Sequence, residues 1–200
     1  MRTRTRTEIK KDNRRGYLLI QSITLARIPL AVAFLIFLSF TNDSTASFII
    51  AFLLLLLIEA TDAFDGKIAR RYNLASEWGA TLDPFADSIS RLLIYTTLAS
   101  RDMVLFLVPL SMALRDITVA YARILLAQKS RSVSARISGK VKAIVQASGA
   151  FLALSGPFYW AHIGYWSFHV LSWIIITVTL LSSIEYIKDA VIALRHEEQD

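Results

Sequence analysis

The chain of 200 residues contains no cysteine. It therefore has no disulfide framework, no thiol nucleophile and no thiolate metal site. Its composition is also far from that of a soluble protein, because hydrophobic residues make up 54% of the chain and occur in long blocks. This pattern is typical of an integral membrane protein. The sequence shows no internal repeat and no low-complexity tract, which disfavours an inverted-repeat transporter.

The formal net charge is +6, and the positive residues are strongly clustered. In a membrane protein, such clustering indicates topology and contact with anionic lipid. A nucleic-acid-binding function would need a soluble basic face, which is not visible, so no nucleic-acid partner is expected. The basic N-terminal segment MRTRTRTEIKKDNRR has no small-residue cleavage site, so we expect it to be retained.

Six segments are long and apolar enough to be spanning helices, each of which needs about 20 residues. The predicted spans are Tyr17–Phe40, Ala46–Arg70, Glu77–Ala99, Met103–Gln128, Ile137–Leu154 and Gly164–Ala190. The predicted fold is an all-α integral membrane protein with six transmembrane helices and a short basic juxtamembrane segment. We divide the chain into that segment (1–16), a six-helix domain (17–190) and a C-terminal tail (191–200). Within the first segment, Arg4–Arg15 is predicted to form a short interfacial helix.

Lysine and arginine are unevenly distributed among the connections, and this predicts the orientation in the membrane. They are abundant before the first span, between the second and third, and between the fourth and fifth. The other connections contain Arg101 as their only Lys or Arg. Both termini are therefore predicted to be cytoplasmic. The connection 155–163 is predicted to lie at the outer interface, where an aromatic belt is expected: Tyr159, Trp160, Tyr165 and Trp166.

Four aspartates follow directly after the apolar run Ala51–Ile58. Asp62 and Asp65 are three residues apart, and Asp83 and Asp87 are four apart, so on helices each pair shares one face. Acids that converge at membrane depth repel each other unless cations hold them together. A divalent metal site is the natural interpretation. The alternatives are solvated helix ends, or an ion path in a divalent-cation transporter, which would spread its acids through several helices.

The spacing Asp62-x2-Asp65-Gly66-x2-Ala69-Arg70-x8-Gly79-x3-Asp83-x3-Asp87, hereafter the aspartate motif, is very specific. It resembles the motif of the CDP-alcohol phosphatidyltransferases at every fixed position. The element Ser22-Ile23-Thr24-Leu25-Ala26-Arg27 is similar to the Thr-Leu-x-Arg element of their first helix. With six helices in about 200 residues, the resemblance covers essentially the whole chain.

The resemblance implies a reaction in which an alcohol displaces CMP from a CDP-linked lipid. It implies that Asp62, Asp65, Asp83 and Asp87 hold two divalent ions, Mg²⁺ or Mn²⁺, and that Asp87 is also the general base. Small residues allow close approach of the nucleotide. By resemblance, the CDP-lipid-binding residues are Asp62, Gly66, Ala69, Arg70 and Gly79. The alternative for the small residues is that they only let two helices pack closely.

An anionic acceptor needs basic residues near the cytoplasmic helix ends. The candidates for its phosphate are Arg27, Arg115, Arg123, Arg131, Lys140 and Lys142. Arg115-Asp116 and the string Leu82–Asp87 resemble the phosphatidylglycerophosphate synthase branch, which uses glycerol 3-phosphate. That branch usually has Lys after its last Asp, whereas this chain has Ser88, with Arg91 one turn later as a substitute for the charge. Each basic residue has the alternative role of a topological or lipid anchor.

The resemblance implies CDP-diacylglycerol as donor, glycerol 3-phosphate as the preferred acceptor, membrane lipid as the surrounding medium and a homodimer. Other acceptors in the family are inositol phosphate, serine and phosphatidylglycerol. Outside the family, the divalent-cation transporter and a structural lipid-interaction protein remain as alternatives. The latter gives no reason for four spaced acids. Near the predicted outer interface, His162 and His169 are interpreted as interfacial or core residues. Glu59, just before the aspartate motif, is interpreted either as a contact of the acidic site or as a residue that faces another helix.

Overall fold

A computed structural model describes residues 6–72, 77–128 and 137–195. Within these ranges, it describes only the backbone of residues 6–21, 23, 62–72, 77–81, 161, 193 and 195. All regular structure in these ranges is α-helical. The helices are α1 (Arg6–Phe40), α2 (Thr45–Tyr72), α3 (Glu77–Ser100), α4 (Leu107–Gln128), α5 (Ile137–Ile163) and α6 (Trp166–Arg195). The prediction of an all-α chain with six helices is confirmed over these ranges.

Two helix starts, those of α1 and α4, differ from the predicted ones by four residues or more. Helix α1 begins at Arg6 and continues without a break for 35 residues, so the predicted interfacial helix and first span are one element. Helix α4 begins at Leu107 rather than Met103 because Asp102 reverses the chain after α3 with a φ of 54°. Its N–H donates to the carbonyl of Ala99 at 3.1 Å. A left-handed residue at this place is a common helix end, and Asp tolerates it better than most residues.

Helix α5 ends at Ile163, so the predicted end at Leu154 is wrong. Gly156 and Pro157 suggested a loop, but the helix passes through both. Pro157 removes the bond that its missing N–H would donate to the carbonyl of the fourth residue before it, and its ring crowds that carbonyl, but the helix continues beyond it. Gly164, the residue after the helix, terminates it instead: Gly164 has a φ of 95°, and its N–H donates to the Trp160 carbonyl at 2.8 Å.

The connection between α5 and α6 is an aromatic turn. The Trp160 and Tyr165 rings meet edge to face at 5.7 Å, and Tyr165 stacks on Phe168 at 5.1 Å. His169 packs edge-on against Phe168, with ring centroids 4.9 Å apart. The aromatic residues expected at an interface therefore hold this turn together, most of them on helices rather than in a loop.

The chain forms two compact units, residues 1–93 and 94–200, and the boundary falls within α3. In the first unit, α1 packs against α2. Each helix buries apolar residues at helical spacing: Ala31, Phe34 and Leu38 on α1, and Phe48, Ala51, Leu55 and Ile58 on α2. Ser44 precedes α2, and its hydroxyl accepts the N–H of Ser47 at 3.2 Å. This is the hydrogen bond of an N-cap residue.

In the second unit, α6 packs against both α4 and α5. The interior contains hydrogen-bonded polar groups as well as apolar side chains. Tyr95 donates to the Gln146 carbonyl at 2.6 Å, and the Gln146 amide donates to the Thr179 hydroxyl at 2.9 Å. Ser172 accepts the Leu105 N–H at 3.0 Å, which connects α6 to the residues just before α4.

Two stretches of the described chain, Ile137–Trp160 and Trp166–Ile192, are helices long and apolar enough to cross a membrane. Shorter apolar helical stretches lie at Thr24–Phe40 and Thr45–Thr61. Their outward faces are apolar, as in Ile36, Leu53 and Leu56, which are all about half exposed. These surfaces are consistent with a membrane protein, while the full set of six spans stays a prediction.

Candidate active site

Helix α3 carries two aspartates of the aspartate motif, Asp83 and Asp87, one helical turn apart. Asp83 is exposed, and its Oδ1 accepts the Thr24 hydroxyl of α1 at 3.2 Å. Thr24 itself is buried and belongs to the first-helix element identified in the sequence. The two motif elements that the sequence analysis treated separately are therefore in contact within the first unit.

Two guanidinium groups approach the same oxygen of Asp87. Arg91 donates from Nε to Oδ1 at 2.8 Å, and Arg27 Nη1 lies 4.0 Å from that atom. Both arginines are buried, whereas the Asp87 side chain keeps 28% of its surface exposed. Asp87 is therefore a partly exposed carboxylate that is held from its buried side.

Arg91 also binds Glu59 of α2. Its Nη1 donates to Oε1 at 3.1 Å and its Nη2 to Oε2 at 3.4 Å, which is a two-pronged contact. The sequence analysis interpreted Arg91 as a substitute for the positive charge missing at Ser88, and the structure shows it between two acids of the protein. The signal in the sequence was the spacing, since Arg91 follows Asp87 by four residues and Glu59 precedes Asp62 by three.

The remaining residues of the motif lie on the same two helices. Asp62, Asp65, Gly66, Ala69 and Arg70 are in the last part of α2, and Gly79 is the third residue of α3. Their side chains lie outside the described part of the structure, so their contacts stay predictions. Where side chains are described, no group of three acidic or histidine residues is arranged to hold a metal. Asp83 and Asp87 supply only oxygen donors from one helix face, which suits a hard cation such as Mg²⁺ or Mn²⁺.

In the second unit, basic residues gather around one carboxylate. Asp116 Oδ1 accepts Arg115 Nη1 at 2.8 Å and Lys142 Nζ at 3.3 Å. Arg115 Nε also donates to the Ser182 hydroxyl of α6 at 3.0 Å. Arg115 and Lys142 are buried, so these contacts join α4, α5 and α6 in the interior.

Tyr186 lies beside this group and brings in a further arginine. The guanidinium carbon of Arg123 is 5.3 Å from the Tyr186 ring centroid, and that of Arg115 is 5.9 Å away. Arg123 Nη2 also donates to the Tyr186 hydroxyl at 3.4 Å. We call these residues the basic cluster: Arg115, Asp116, Arg123, Lys142 and Tyr186.

The basic cluster has a formal excess of two positive charges, since its members include three cations and one carboxylate. It thus unites three of the six predicted acceptor residues. Lys140 is exposed on α5, Arg27 belongs to the first unit, and Arg131 lies outside the described residues. The sequence analysis missed Ser182 and Tyr186, whose polar groups four residues apart on an apolar helix were the available signal.

Comparison with known proteins identifies the family. The sequence model of the CDP-alcohol phosphatidyltransferases matches residues 18–184. A Rickettsia typhi protein named CDP-diacylglycerol–glycerol-3-phosphate 3-phosphatidyltransferase is 30% identical over 171 residues, which are 83% of this chain and 93% of the relative. A Shigella flexneri protein of the same name is 30% identical over 173 residues, covering 84% and 92%.

A third relative, from Mycobacterium tuberculosis, is named probable phosphatidylglycerophosphate synthase. It is 30% identical over 175 residues, which are 84% of this chain and 79% of the relative. These matches confirm the resemblance seen in the aspartate motif and extend it beyond both of its helices. The chain belongs to the CDP-alcohol phosphatidyltransferase family.

Proposed function

We propose that this chain transfers the phosphatidyl group of CDP-diacylglycerol to glycerol 3-phosphate, with release of CMP. The observation that carries the proposal is the complete aspartate motif, in which Asp83 and Asp87 share one face of α3. The names of the relatives from Rickettsia, Shigella and Mycobacterium support the acceptor. The product is phosphatidylglycerol phosphate, so the reaction belongs to phospholipid biosynthesis.

In the proposed reaction, the acceptor's hydroxyl oxygen attacks the phosphorus that carries the diacylglycerol. A bond forms between these two atoms, and the bond from that phosphorus to the oxygen of CMP breaks. Asp87 takes the hydroxyl proton as general base. Because Arg91 and Arg27 both approach Oδ1, we assign the proton to Oδ2. CMP leaves with the electron pair of the broken bond, and no covalent enzyme intermediate is needed.

Two divalent ions, Mg²⁺ or Mn²⁺, are proposed to be held by Asp62, Asp65, Asp83 and Asp87, where they would neutralise the diphosphate and lower the pKa of the acceptor hydroxyl. The oxygen-only donor set supports this assignment. Thr24 and Arg91 orient the two aspartates of α3 from neighbouring positions. On the donor side, Gly66, Ala69 and Gly79 are proposed to leave room for the cytidine and its phosphates, and Arg70 to bind a phosphate.

The acceptor's phosphate is proposed to bind the cations of the basic cluster. Arg115 is fixed by Ser182 and Asp116, and Lys142 shares Asp116, so both charged groups are already oriented. Such orientation lowers the entropic cost of binding an anion. Arg131 and Lys140, close to Lys142 in the chain, are proposed to add to the positive charge of this site, while the role of Arg27, in the first unit, stays a prediction from the sequence.

We further propose that all six helices cross the membrane. The shortest, α4, has 22 residues, and at about 1.5 Å per residue this exceeds the roughly 30 Å of a bilayer core. The positive connections assign both termini and the aspartate motif to the cytoplasmic side. A homodimer is expected from the family resemblance.

The proposed function is tested with purified protein in detergent micelles that contain CDP-diacylglycerol. CMP release and lipid product should both require glycerol 3-phosphate and Mg²⁺. Inositol phosphate, serine and phosphatidylglycerol are the matched acceptor controls and should give no product. Equal turnover with one of these would contradict the acceptor, and the absence of CMP release with every acceptor would contradict the reaction.

A further inference from the structure

A single guanidinium on α3 connects acids from two helices. Arg91 uses Nη1 and Nη2 on Glu59 and Nε on Asp87, so each of its three nitrogens donates to a carboxylate. The side chain of Arg91 is 6% exposed and that of Glu59 is 18% exposed. A planar guanidinium bound on both edges cannot rotate without breaking one contact. Arg91 therefore fixes the position of Asp87 Oδ1.

Stability alone does not account for this arrangement. Taking an ion pair out of water costs free energy that its own attraction often fails to recover, and apolar replacements are frequently as stable. The pair holds the side chain of Asp87, which is partly exposed. Arg91 contacts it more closely than Arg27 does, at 2.8 Å compared with 4.0 Å.

Glu59 has a second effect, which is electrostatic. A lone arginine at 2.8 Å would offset much of the negative charge of Asp87 and weaken its attraction for a cation. Glu59 offsets the charge of Arg91 in turn. Glu59, Arg91 and Asp87 together carry a net charge of −1, which Arg27 at 4.0 Å brings to zero, whereas without Glu59 the remaining three groups would carry +1. In the pair Glu59–Arg91, Arg91 can thus orient the Asp87 carboxylate without adding net positive charge beside it.

We propose that Glu59 and Arg91 are positioning residues for Asp87: Arg91 fixes its carboxylate, and Glu59 preserves the affinity of that carboxylate for a divalent cation. The proposal rests on the proposed function of Asp87. It differs from the sequence-based interpretation of Arg91, in which this residue replaces the positive charge that the phosphatidylglycerophosphate synthase branch has directly after its last Asp. The three roles of a positioning residue, a phosphate ligand and a structural ion pair give different results in one set of variants.

The variants are Glu59→Gln, Arg91→Met, Arg91→Lys and the double variant Glu59→Gln/Arg91→Met. Lys188→Gln, which alters an exposed charge on α6, is the control. Each protein is measured in detergent for its Tm, its Mn²⁺ dissociation constant by electron paramagnetic resonance, and its kcat and KM for both substrates. Mn²⁺ binding is measured without substrate, so it reports on the charge effect even if turnover is absent.

For a positioning role, Arg91→Met should lower kcat by about 10- to 100-fold, with both KM values within about threefold of the wild type. The double variant should be no slower than Arg91→Met, because Glu59 acts through Arg91. Glu59→Gln should raise the Mn²⁺ dissociation constant by about 3- to 10-fold. Arg91→Met should leave it unchanged or lower it, and this opposite direction is the specific sign of charge compensation.

Other outcomes overturn the proposal. A raised KM for glycerol 3-phosphate with unchanged kcat in Arg91→Met assigns Arg91 to the acceptor. Loss of Mn²⁺ binding in Glu59→Gln would show that Glu59 is a metal ligand. Wild-type kcat in every variant, together with a lower Tm, would show that the pair is structural.

If Arg91→Met fails to fold, Arg91→Lys replaces it in the test, because lysine keeps the charge but not the planar group that binds two carboxylates. Its kcat should fall while its KM values do not change. Wild-type protein that binds Mn²⁺ but releases no CMP contradicts the proposed function and not the charge effect.

Discussion

At the scale of single residues, the contacts of Asp87 define what its carboxylate can do. Oδ1 is held by Arg91 and approached by Arg27, and the side chain remains partly exposed. A carboxylate held at one oxygen can accept a proton or a cation at the other. Asp83 differs, because its described partner is the neutral hydroxyl of Thr24. The two aspartates of α3 therefore have different surroundings and suit different roles.

Replacing Asp87 with Asn tests the role of the base. The amide keeps the shape of the side chain but cannot take the proton, so kcat should fall by about 10²- to 10⁴-fold. Binding of CDP-diacylglycerol, measured by equilibrium titration in micelles, should change little in comparison. Asp43→Asn in the connection between α1 and α2 is the matched control. Turnover near the wild-type rate in Asp87→Asn contradicts the assignment of the base.

The basic cluster leads to a prediction about the acceptor. Arg115→Lys and Lys142→Gln should each raise the KM for glycerol 3-phosphate by about tenfold or more, which corresponds to about 1.4 kcal/mol. The KM for CDP-diacylglycerol should stay close to the wild-type value. The measurement is initial-rate kinetics with each substrate varied in turn. Unchanged KM values for glycerol 3-phosphate in both variants exclude the basic cluster as the phosphate site.

The residue scale also shows how far a sequence can predict this site. Spacing along the chain identified the aspartate motif and the first-helix element that supplies Thr24. It did not identify the contact of Arg91 with Glu59, because these residues are 32 positions apart on different helices. Which side chains meet depends on the rotation of each helix about its axis, and the almost uniformly apolar stretch of α2 before Glu59 carries little periodicity to define that rotation.

At the scale of the helix, apolar blocks predicted six elements but not all of their ends. Helix α5 continued through Gly156 and Pro157, two residues that commonly mark a loop, since losing one hydrogen bond costs less than ending a long helix. The left-handed Gly164 ends it. The predicted break between Arg4–Arg15 and the first span failed for a related reason. A change from polar to apolar side chains alters what surrounds a helix and need not interrupt its backbone.

The contact of α5 with α6 leads to a prediction of stability. A Cβ at Gly149 would lie 2.7 Å from Ile175 Cδ1 and 2.9 Å from the Tyr95 hydroxyl oxygen, which is bound to the Gln146 carbonyl. Gly149→Ala should therefore destabilise the protein by about 1–3 kcal/mol, seen as a lower Tm in detergent.

Gly139 on the same helix is the matched control, because a Cβ there would meet nothing within 4 Å. Gly139→Ala should keep or raise the Tm, since alanine favours a helix by about 1 kcal/mol over glycine. An equal effect of the two substitutions contradicts the proposed close approach at Gly149.

At the scale of the whole molecule, the family match and the proposed functional residues involve both compact units. The family match runs from residue 18 to 184 and so includes parts of both compact units. The proposed catalytic acids belong to the first unit and the basic cluster to the second. Lys67, Arg70 and Arg71 lie within or directly after the first part of the aspartate motif, and this predicts that the motif is cytoplasmic.

The absence of cysteine makes this orientation directly testable. Single cysteines introduced as Asn42→Cys, Ser76→Cys and His162→Cys mark three different connections or helix ends. Asn42 and His162 are exposed at connections with few positive residues, so they should react in intact cells with a maleimide that cannot cross the membrane. Ser76, which follows Lys67, Arg70 and Arg71, should react only after the membrane is permeabilised.

The cysteine-free parent is the background control, and retained CMP release shows that each variant is folded. Labelling of Ser76→Cys from outside would place the aspartate motif on the wrong side for a cytoplasmic acceptor and contradict the proposed topology. Labelling of all three variants only after permeabilisation would contradict the six spans, because Asn42 and Ser76 flank α2. If only Ser76→Cys is protected from the reagent in intact cells, positions 42 and 76 lie on opposite sides of the membrane. Helix α2, which lies between them in the chain, must then cross the membrane, although its last turns carry the charged residues of the aspartate motif.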